Sequence, residues 1–289
     1  MTPDLQGYLV LAAFAAGLIG LAAWRILTVG ETWREGVLTQ VFRGYTSLVF
    51  GLRSRNRCPW PAVGAALVVA NHRSPVDPLI VHSNSVFKAA GNKMRVVEWL
   101  TAREYCKIGG VVQWICDTAR CIPVNRHGRD MAAVKDAIRR LKEGKIVGVY
   151  PEGRLNTGEG LLDFNTGVAF LAMSTDAPVF PIYIRDAPAG ETMVEPFLKP
   201  TTCDVVYGEE FDMTPYRGQR PTAILLRELT AGLRKAVADL GGIELPPEDG
   251  RRRRTPRNKR TEPDLASAPT VEIKPDKRPA NRPMQKAAV

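Results

Sequence analysis

Histidine and cysteine are both scarce in this sequence, which limits the chemistry that it can support. Only 3 of the 289 residues are histidine and 5 are cysteine. They are His72, His82, His127, Cys58, Cys106, Cys116, Cys121 and Cys203. Neither type recurs at metal-ligand spacing, and the cysteines form no CxxC pair. We therefore predict no metal, no cofactor and no cysteine nucleophile, and expect reduced thiols that pack as small core residues.

Positive charge is missing from the start of the chain. The run from Gly7 to Trp24 has no charged residue, and the first basic residue is Arg25. A helix of this run, at about 1.5 Å per residue, is near the short limit for crossing a bilayer. A buried core helix is the alternative. Arginines follow as far as Arg57, so the positive-inside rule places the rest of the chain in the cytoplasm. We predict that residues 1–30 anchor the chain in the inner or plasma membrane.

Residues 31–57 contain apolar side chains at helical spacing. Trp33, Val41 and Leu48 belong to this stripe, and Arg34 and Arg43 could meet anionic head groups. The pattern predicts an amphipathic helix that lies on the membrane or packs on the following domain.

Few apolar residues and many prolines characterise residues 246–289, which include the run Arg251–Arg254. Such a segment cannot build a core, and we predict a basic, disordered tail. The charge is either solvated or attracted to anionic membrane lipids. No aromatic interleaving supports nucleic acid as a partner.

Between residues 58 and 245, short apolar runs alternate with helical patterns. Strands are expected over 65–70, 94–97, 119–124, 145–150, 178–184 and 203–207. Helices are expected over 77–90, in segments of 98–116, and over 130–143, 167–175 and 221–240. This alternation predicts one α/β domain with a mixed, mostly parallel sheet flanked by helices.

A polar turn follows the first of these strands. Pro75 cannot continue the strand, and His72 precedes Asp77 by five residues. Histidine is suited to proton transfer near neutral pH, and a carboxylate could orient its ring. The pattern fits a general base with its orienting acid, and it fits equally a turn in which Ser74 or Asp77 caps a helix.

Four short blocks in this order resemble the glycerolipid acyltransferase family, whose best-known members act on 1-acylglycerol 3-phosphate. The blocks are Asn71-His72-x-Ser74-x-x-Asp77, Cys121–Arg126, Tyr150–Arg154 and Pro178–Ile182. The resemblance implies that His72 and Asp77 are catalytic. It implies substrate binding by Asn71, Ser74, Arg126, Glu152, Gly153 and Arg154. An arginine fork matches phosphate oxygens, and Gly153 would let backbone approach a ligand. Taken singly, the arginines could be solvated charges and Glu152 could pair with one of them.

The resemblance implies acyl transfer from acyl-CoA or acyl carrier protein to lysophosphatidic acid at a membrane. The sequence departs from the common family pattern at three places, which leaves the acceptor open. Arg154 follows Gly153 directly, Asn125 replaces a frequent aspartate, and Asn165-Thr166 replaces a basic residue. The alternatives are another lysophospholipid or lipid acceptor, or a catalytically silent lipid-binding scaffold.

Overall fold

The computed structural model describes residues 3–55, 58–84, 95–125 and 130–246. The chain divides into two units, Met1–Arg252 and Arg253–Val289. The predicted tail, apart from Pro246, lies outside the described residues, as does Arg126.

Eight α-helices and seven β-strands alternate through the described residues. The helices are α1 (Pro3–Val29), α2 (Trp33–Phe50), α3 (Asp77–Asn84), α4 (Gly110–Thr118), α5 (Met131–Lys142), α6 (Gly167–Met173), α7 (Glu195–Leu198) and α8 (Ala223–Gly241). The strands are β1 (Arg53–Arg55), β2 (Ala66–Ala70), β3 (Val97–Ala102), β4 (Ile122–Val124), β5 (Ile146–Val149), β6 (Val179–Arg185) and β7 (Asp204–Tyr207). Short 3-10 helices occupy Tyr105–Lys107 and Thr214–Tyr216.

The strands form a single mixed sheet in the order β1-β7-β6-β2-β5-β3-β4. The five strands from β6 to β4 are mutually parallel, β7 is antiparallel to β6, and β1 is parallel to β7. The predicted mixed, mostly parallel sheet is confirmed. Carboxyl ends of five parallel strands therefore share one edge, where functional groups of such sheets gather.

Helices cover both faces of the sheet, so its central strands are buried on both sides. All five residues of β2 are buried. Leu67 and Val69 face the cluster that includes side chains of α5, α6 and α8. Val68 and Ala70 face the opposite cluster, with Phe50 of α2 and Ile80 of α3. A strand buried on both faces reads as a continuous apolar run, which is why β2 was evident in the sequence.

The prediction was wrong at β3, because helical segments were expected from residue 98 onward. The strand Val97–Ala102 lies in the sheet between β5 and β4. The expected helical segments began at Glu98, which is the second residue of this strand. Glu98 is buried and forms ion pairs with Arg120 and Arg140, so its charge is compensated inside the fold.

The N-terminal helix exposes its apolar side chains. A stretch of α1, Val10–Val29, is long and apolar enough to cross a membrane, and only its last residue, Val29, is buried. Exposed side chains include Phe14, Ile19 and Trp24. A soluble protein rarely exposes so continuous an apolar surface, so this helix indicates association with a membrane.

Helix α2 packs on the domain with one face and exposes apolar residues on another. Leu38 and Phe42 are buried, whereas Trp33, Val41 and Leu48 are exposed. The predicted apolar stripe thus packs on the domain through part of its residues and leaves the others exposed.

Candidate functional site

The site begins where β2 ends. There the side chain of Asn71 takes the place of main-chain groups in the pairing with β6. The amide of Asn71 donates to the Ile184 carbonyl oxygen (2.9 Å) and accepts from the Ile184 N–H (2.7 Å). Asn71 is fully buried. These two bonds tie the end of β2 to β6 while the main chain turns toward α3. Asn71 therefore holds the start of the turn and does not face a ligand-accessible surface.

His72 and Asp77 form a hydrogen-bonded pair within this turn. His72 Nδ1 lies 2.9 Å from Asp77 Oδ2, and the imidazole is 20% exposed while the carboxylate is fully buried. The same Oδ2 accepts the N–H groups of Arg73 (2.7 Å) and Ser74 (2.9 Å). A carboxylate only accepts, so Nδ1 carries a hydrogen, and in the neutral imidazole Nε2 then holds the lone pair. Among the described residues no group hydrogen-bonds to Nε2, which leaves it free to accept a proton.

Ser74 anchors the turn from within. Its hydroxyl donates to the Pro188 carbonyl oxygen at 2.6 Å, and its side chain is fully buried. The loop after β6 is thereby attached to the turn after β2. Like Asn71, Ser74 is placed to hold the turn.

An aromatic stack supports the imidazole from one side. The ring of Tyr150 stacks on that of His72 (centroids 4.1 Å apart, planes at 14°), and Trp99 stacks on Tyr150 (4.2 Å, 5°). Burial, and next the charge of Asp77, raise the pKa of Tyr150 well above its ordinary value. The stack and the Asp77 bond together fix the plane and the direction of the imidazole.

Sequence reasoning missed Trp99 and the role of Tyr150 in this stack. The signal that could have revealed it is Gly148, a glycine in the middle of a buried strand. A Cβ atom there would lie 2.4 Å from Cε3 of Trp99. Glycine inside a strand often marks a close approach of this kind.

Glu152 connects the loop after β5 to the histidine. Its Oε1 accepts the His72 N–H (2.9 Å) and its Oε2 accepts the Leu162 N–H (3.1 Å). A third bond runs from the Asn156 N–H to the His72 carbonyl oxygen (2.7 Å). Burial raises the pKa of Glu152, and the two N–H donors oppose that shift. Both carboxylate oxygens are thus engaged by main chain, and Glu152 is placed to position His72.

Gly153 and Arg154, the two residues after Glu152, lie in the same loop after β5. Gly153 has φ +71°, and a Cβ atom there would lie 2.8 Å from Asn165 Nδ2. Asn165 in turn donates from its backbone (2.8 Å) and its side chain (2.9 Å) to the Pro151 carbonyl oxygen. Arg154 is exposed and forms no ion pair with any described residue. The loop therefore presents one uncommitted guanidinium on the strand edge that carries His72.

Within the described residues, the fold brings together Asn71, His72, Ser74, Asp77, Glu152 and Gly153. Three of them form the turn after β2 and two of them the loop after β5, with Asp77 as the first residue of α3. Arg126, which the resemblance implied as a substrate-binding residue, lies outside the described residues. In the sequence it follows Asn125, the first residue after β4. The geometry offers one histidine with a free, oriented nitrogen, which can take a proton from a hydroxyl group.

Residues 52–185 match the family model described as Acyltransferase. The matched range includes the whole of the turn after β2 and the loop after β5.

Two curated relatives are 1-acyl-sn-glycerol-3-phosphate acyltransferases. That of Haemophilus influenzae is 24% identical over 139 residues, which are 46% of this chain and 54% of the relative. That of Escherichia coli is 26% identical over 149 residues, or 49% of this chain and 56% of the relative. The chain thus spans little more than half the length of these relatives.

The fold resembles that of a solved structure, the 1-acyl-sn-glycerophosphate (LPA) acyltransferase PlsC from Thermotoga maritima. The TM-score is 0.52 with 20% sequence identity, covering 83% of this chain and 94% of that one. The sheet, the polar turn and the matched sequence agree: residues 52–185, slightly less than half of the chain, are similar to the acyltransferase family.

Proposed function

We propose that this protein transfers a fatty acyl group from acyl-CoA or acyl carrier protein to the free hydroxyl of lysophosphatidic acid, forming phosphatidic acid. The observation that carries the proposal is the His72–Asp77 pair, in which Nδ1 is committed to Asp77 and Nε2 is free. The family match and the two relatives support acyl transfer as the reaction.

In the proposed reaction, His72 Nε2 removes the proton of the acceptor hydroxyl as its oxygen attacks the thioester carbonyl carbon. Asp77 stabilises the imidazolium that forms. The tetrahedral intermediate then expels the thiolate, and the imidazolium returns the proton to the leaving sulfur. The stack of Tyr150 on the imidazole and the bond from Glu152 to the His72 N–H keep the ring in place during both transfers. The reaction written in this way requires neither metal nor cofactor.

The phosphate of the acceptor would be held by arginine. Arg154 is the described candidate, because it is exposed and unpaired among the described residues, and Arg126 is the second. A guanidinium offers a planar pair of donors that suits phosphate oxygens.

Membrane lipids are the proposed surroundings of the reaction. The exposed apolar helix α1 would anchor the chain, with Trp33, Val41 and Leu48 of α2 facing the bilayer beside it. The proposed location is the inner or plasma membrane, with the catalytic domain in the cytoplasm. Protease protection of the domain in sealed vesicles of known orientation tests this arrangement.

A second acceptor class is favoured by one observation. Arg154 follows Gly153 directly, which shortens the loop relative to the common family pattern. This shorter form resembles acyltransferases that act on lysophospholipids with larger head groups, such as 2-acylglycerophosphoethanolamine.

The test is acyl transfer in isolated membranes, with one acyl-CoA and a panel of lysophospholipids. We expect lysophosphatidic acid to be the best acceptor, and His72→Ala to abolish transfer while the amount of membrane-bound protein is unchanged. Arg154→Ala should raise the KM for lysophosphatidic acid. Arg220→Ala is its matched control, because neighbouring Gly218 and Gln219 lie beside Gly64 and Gly144, at the opposite edge of the sheet. Full activity of His72→Ala would end the proposal, and preference for another lysophospholipid would change the acceptor. No transfer from the acyl-CoA to any acceptor, and none when acyl carrier protein replaces it as donor, would favour the silent scaffold.

A further inference from the structure

Three of the cysteines line one cavity away from the His72 turn. The cavity has a volume of about 820 Å³ and its walls include Cys106, Cys116 and Cys121. Cys106 lies in the 3-10 helix after β3, Cys116 in the last turns of α4, and Cys121 immediately before β4. The proposed acyl transfer uses none of them. No group of metal-ligating side chains with suitable geometry occurs in the described parts of the chain, so the chemistry to consider for these thiols is their oxidation.

The backbone at the end of α4 places Cys116 and Cys121 side by side. The Cys121 N–H donates to the Cys116 carbonyl oxygen (2.9 Å), and the Arg120 N–H donates to that of Asp117 (3.2 Å). Arg120 is left-handed, with φ +53°. These are the marks of a Schellman motif, in which the side chains at the positions of Cys116 and Cys121 frequently contact each other, and here the two thiols are hydrogen-bonded. The two thiols are neighbours because of how the helix ends.

Ion pairs hold this turn in place. The Arg120 guanidinium lies 3.0 Å from Glu31, 2.7 Å from Glu35 and 3.3 Å from Glu98. A left-handed conformation is unfavourable for a residue with a Cβ atom, and these contacts stabilise it. The approach of the two thiols is therefore a fixed feature of the fold.

The surroundings make the two thiols chemically unequal. A hydrogen bond from Cys116 lowers the pKa of Cys121, and the Thr101 hydroxyl and the charge of Arg140 add to this, against burial. Contact with Cys106 lowers the pKa of Cys116, but its bond to Cys121 and burial prevail and raise it to about 12. A thiolate reacts with peroxide whereas a thiol does not. Cys121 is accordingly the reactive partner and Cys116 keeps its proton.

We propose that Cys121 and Cys116 form a peroxide-oxidisable thiol pair. The Cys121 thiolate attacks hydrogen peroxide, the O–O bond breaks, and the products are a Cys121 sulfenic acid and hydroxide. The hydroxide removes the Cys116 thiol proton, giving water, and the Cys116 thiolate attacks the Cys121 sulfur, forming the disulfide and releasing hydroxide from the sulfenic acid. A thiol reductant restores both groups by exchange. The resulting disulfide joins the end of α4 to the start of β4.

The sequence supplies a direct assay, because Arg120, the last of the four residues between the two cysteines, is a site for trypsin. Cleavage after Arg103, Lys107, Arg120 and Arg126 puts the three cysteines on separate peptides, 104–107, 108–120 and 121–126. Membranes containing the full chain are treated with hydrogen peroxide, alkylated, digested and analysed by mass spectrometry. We expect peptides 108–120 and 121–126 to become joined by a disulfide, and dithiothreitol to separate them. Absence of this joined species, or a disulfide to peptide 104–107 in its place, would overturn the proposal.

Variants separate the two steps. Cys116→Ser removes the second thiol, so Cys121 should accumulate as a sulfenic acid that a cyclic diketone traps. Cys106→Ser is the matched control, and it should form the disulfide as the wild-type chain does. Cys203, which is buried and whose pKa burial raises to about 12, should stay unmodified under the same treatment. Trapping of Cys203 as readily as Cys121 would show unselective oxidation and contradict the proposal.

Discussion

Gly148→Ala offers a sharp test of how the histidine is held. The added Cβ atom would lie 2.4, 2.6 and 2.7 Å from three atoms of the Trp99 ring. Carbon atoms in contact are ordinarily about 3.5–4.0 Å apart, so the ring must withdraw by about 1 Å. Trp99 is 2% exposed and has little room to move. Overpacking of this kind costs about 1–3 kcal/mol of folding free energy.

The displacement should reach the histidine through the stack. Trp99 lies 4.2 Å from Tyr150, and Tyr150 lies 4.1 Å from His72, between ring centroids. Misplacing a catalytic group by about 1 Å can lower the rate by about 100-fold. We expect Gly148→Ala to lower the unfolding temperature of the detergent-solubilised protein, and to lower kcat for acyl transfer by about 10-fold to 100-fold.

Gly167→Ala is the matched control. A Cβ atom at Gly167, the first residue of α6, meets no other atom within 4 Å. Its stability should stay within about 1 kcal/mol of wild type, because alanine is well tolerated in a helix, and its activity should be unchanged. If Gly148→Ala matched this control in both measurements, the packing argument would be refuted. Lower stability with full activity would refute the role of the stack in positioning His72.

Three further predictions concern the same region and a buried histidine. Gly153→Ala would place a Cβ atom on a residue with φ +71°, 2.8 Å from Asn165 Nδ2. Thermal unfolding should therefore show a loss of about 1–2 kcal/mol of folding free energy. Unchanged stability would contradict the left-handed conformation of Gly153. Glu152→Gln leaves one acceptor oxygen for two N–H groups, so we expect a loss of about 1–3 kcal/mol of folding free energy. Hydrogen exchange at the His72 amide should become faster. Unaltered exchange would disprove the bond from the His72 N–H to Glu152. Burial lowers the pKa of His82 to about 4, so below its ordinary value the unfolded chain binds a proton that the folded chain does not. The free energy of unfolding should therefore fall by on the order of 3 kcal/mol between pH 7 and pH 4; urea unfolding should show a smaller fall for His82→Gln, and equal falls would refute the assignment.

His82 shows why burial of a polar residue is hard to foresee. Its spacing in the sequence indicated only that it is not a metal ligand, whereas the structure buries the ring at the edge of Phe42, with Nε2 3.2 Å from the Thr39 hydroxyl. Both partners belong to α2, and Thr39 precedes His82 by 43 residues in the chain. No local pattern around His82 specifies that α2 packs there.

Features that depend on neighbouring residues were predictable. The apolar run of α1, the doubly buried strands β2 and β5 and the break at Pro75 follow from side-chain type and backbone geometry alone. For these features the sequence by itself determined the outcome. The contact of His72 with Asp77 was one of two arrangements that the sequence allowed, since five residues bring the side chains within reach but also fit a helix cap.

The tertiary structure alone decided how that turn is held. Glu152 is 80 residues from the backbone N–H that it binds, and Trp99 reaches the site only because β3 lies beside β5 in the sheet. Strand order is set by the packing of all the helices and strands together, and a short segment does not contain that information. Local chemistry therefore provided the imidazole and its carboxylate, and the assembled sheet provided the groups that keep the imidazole in one orientation.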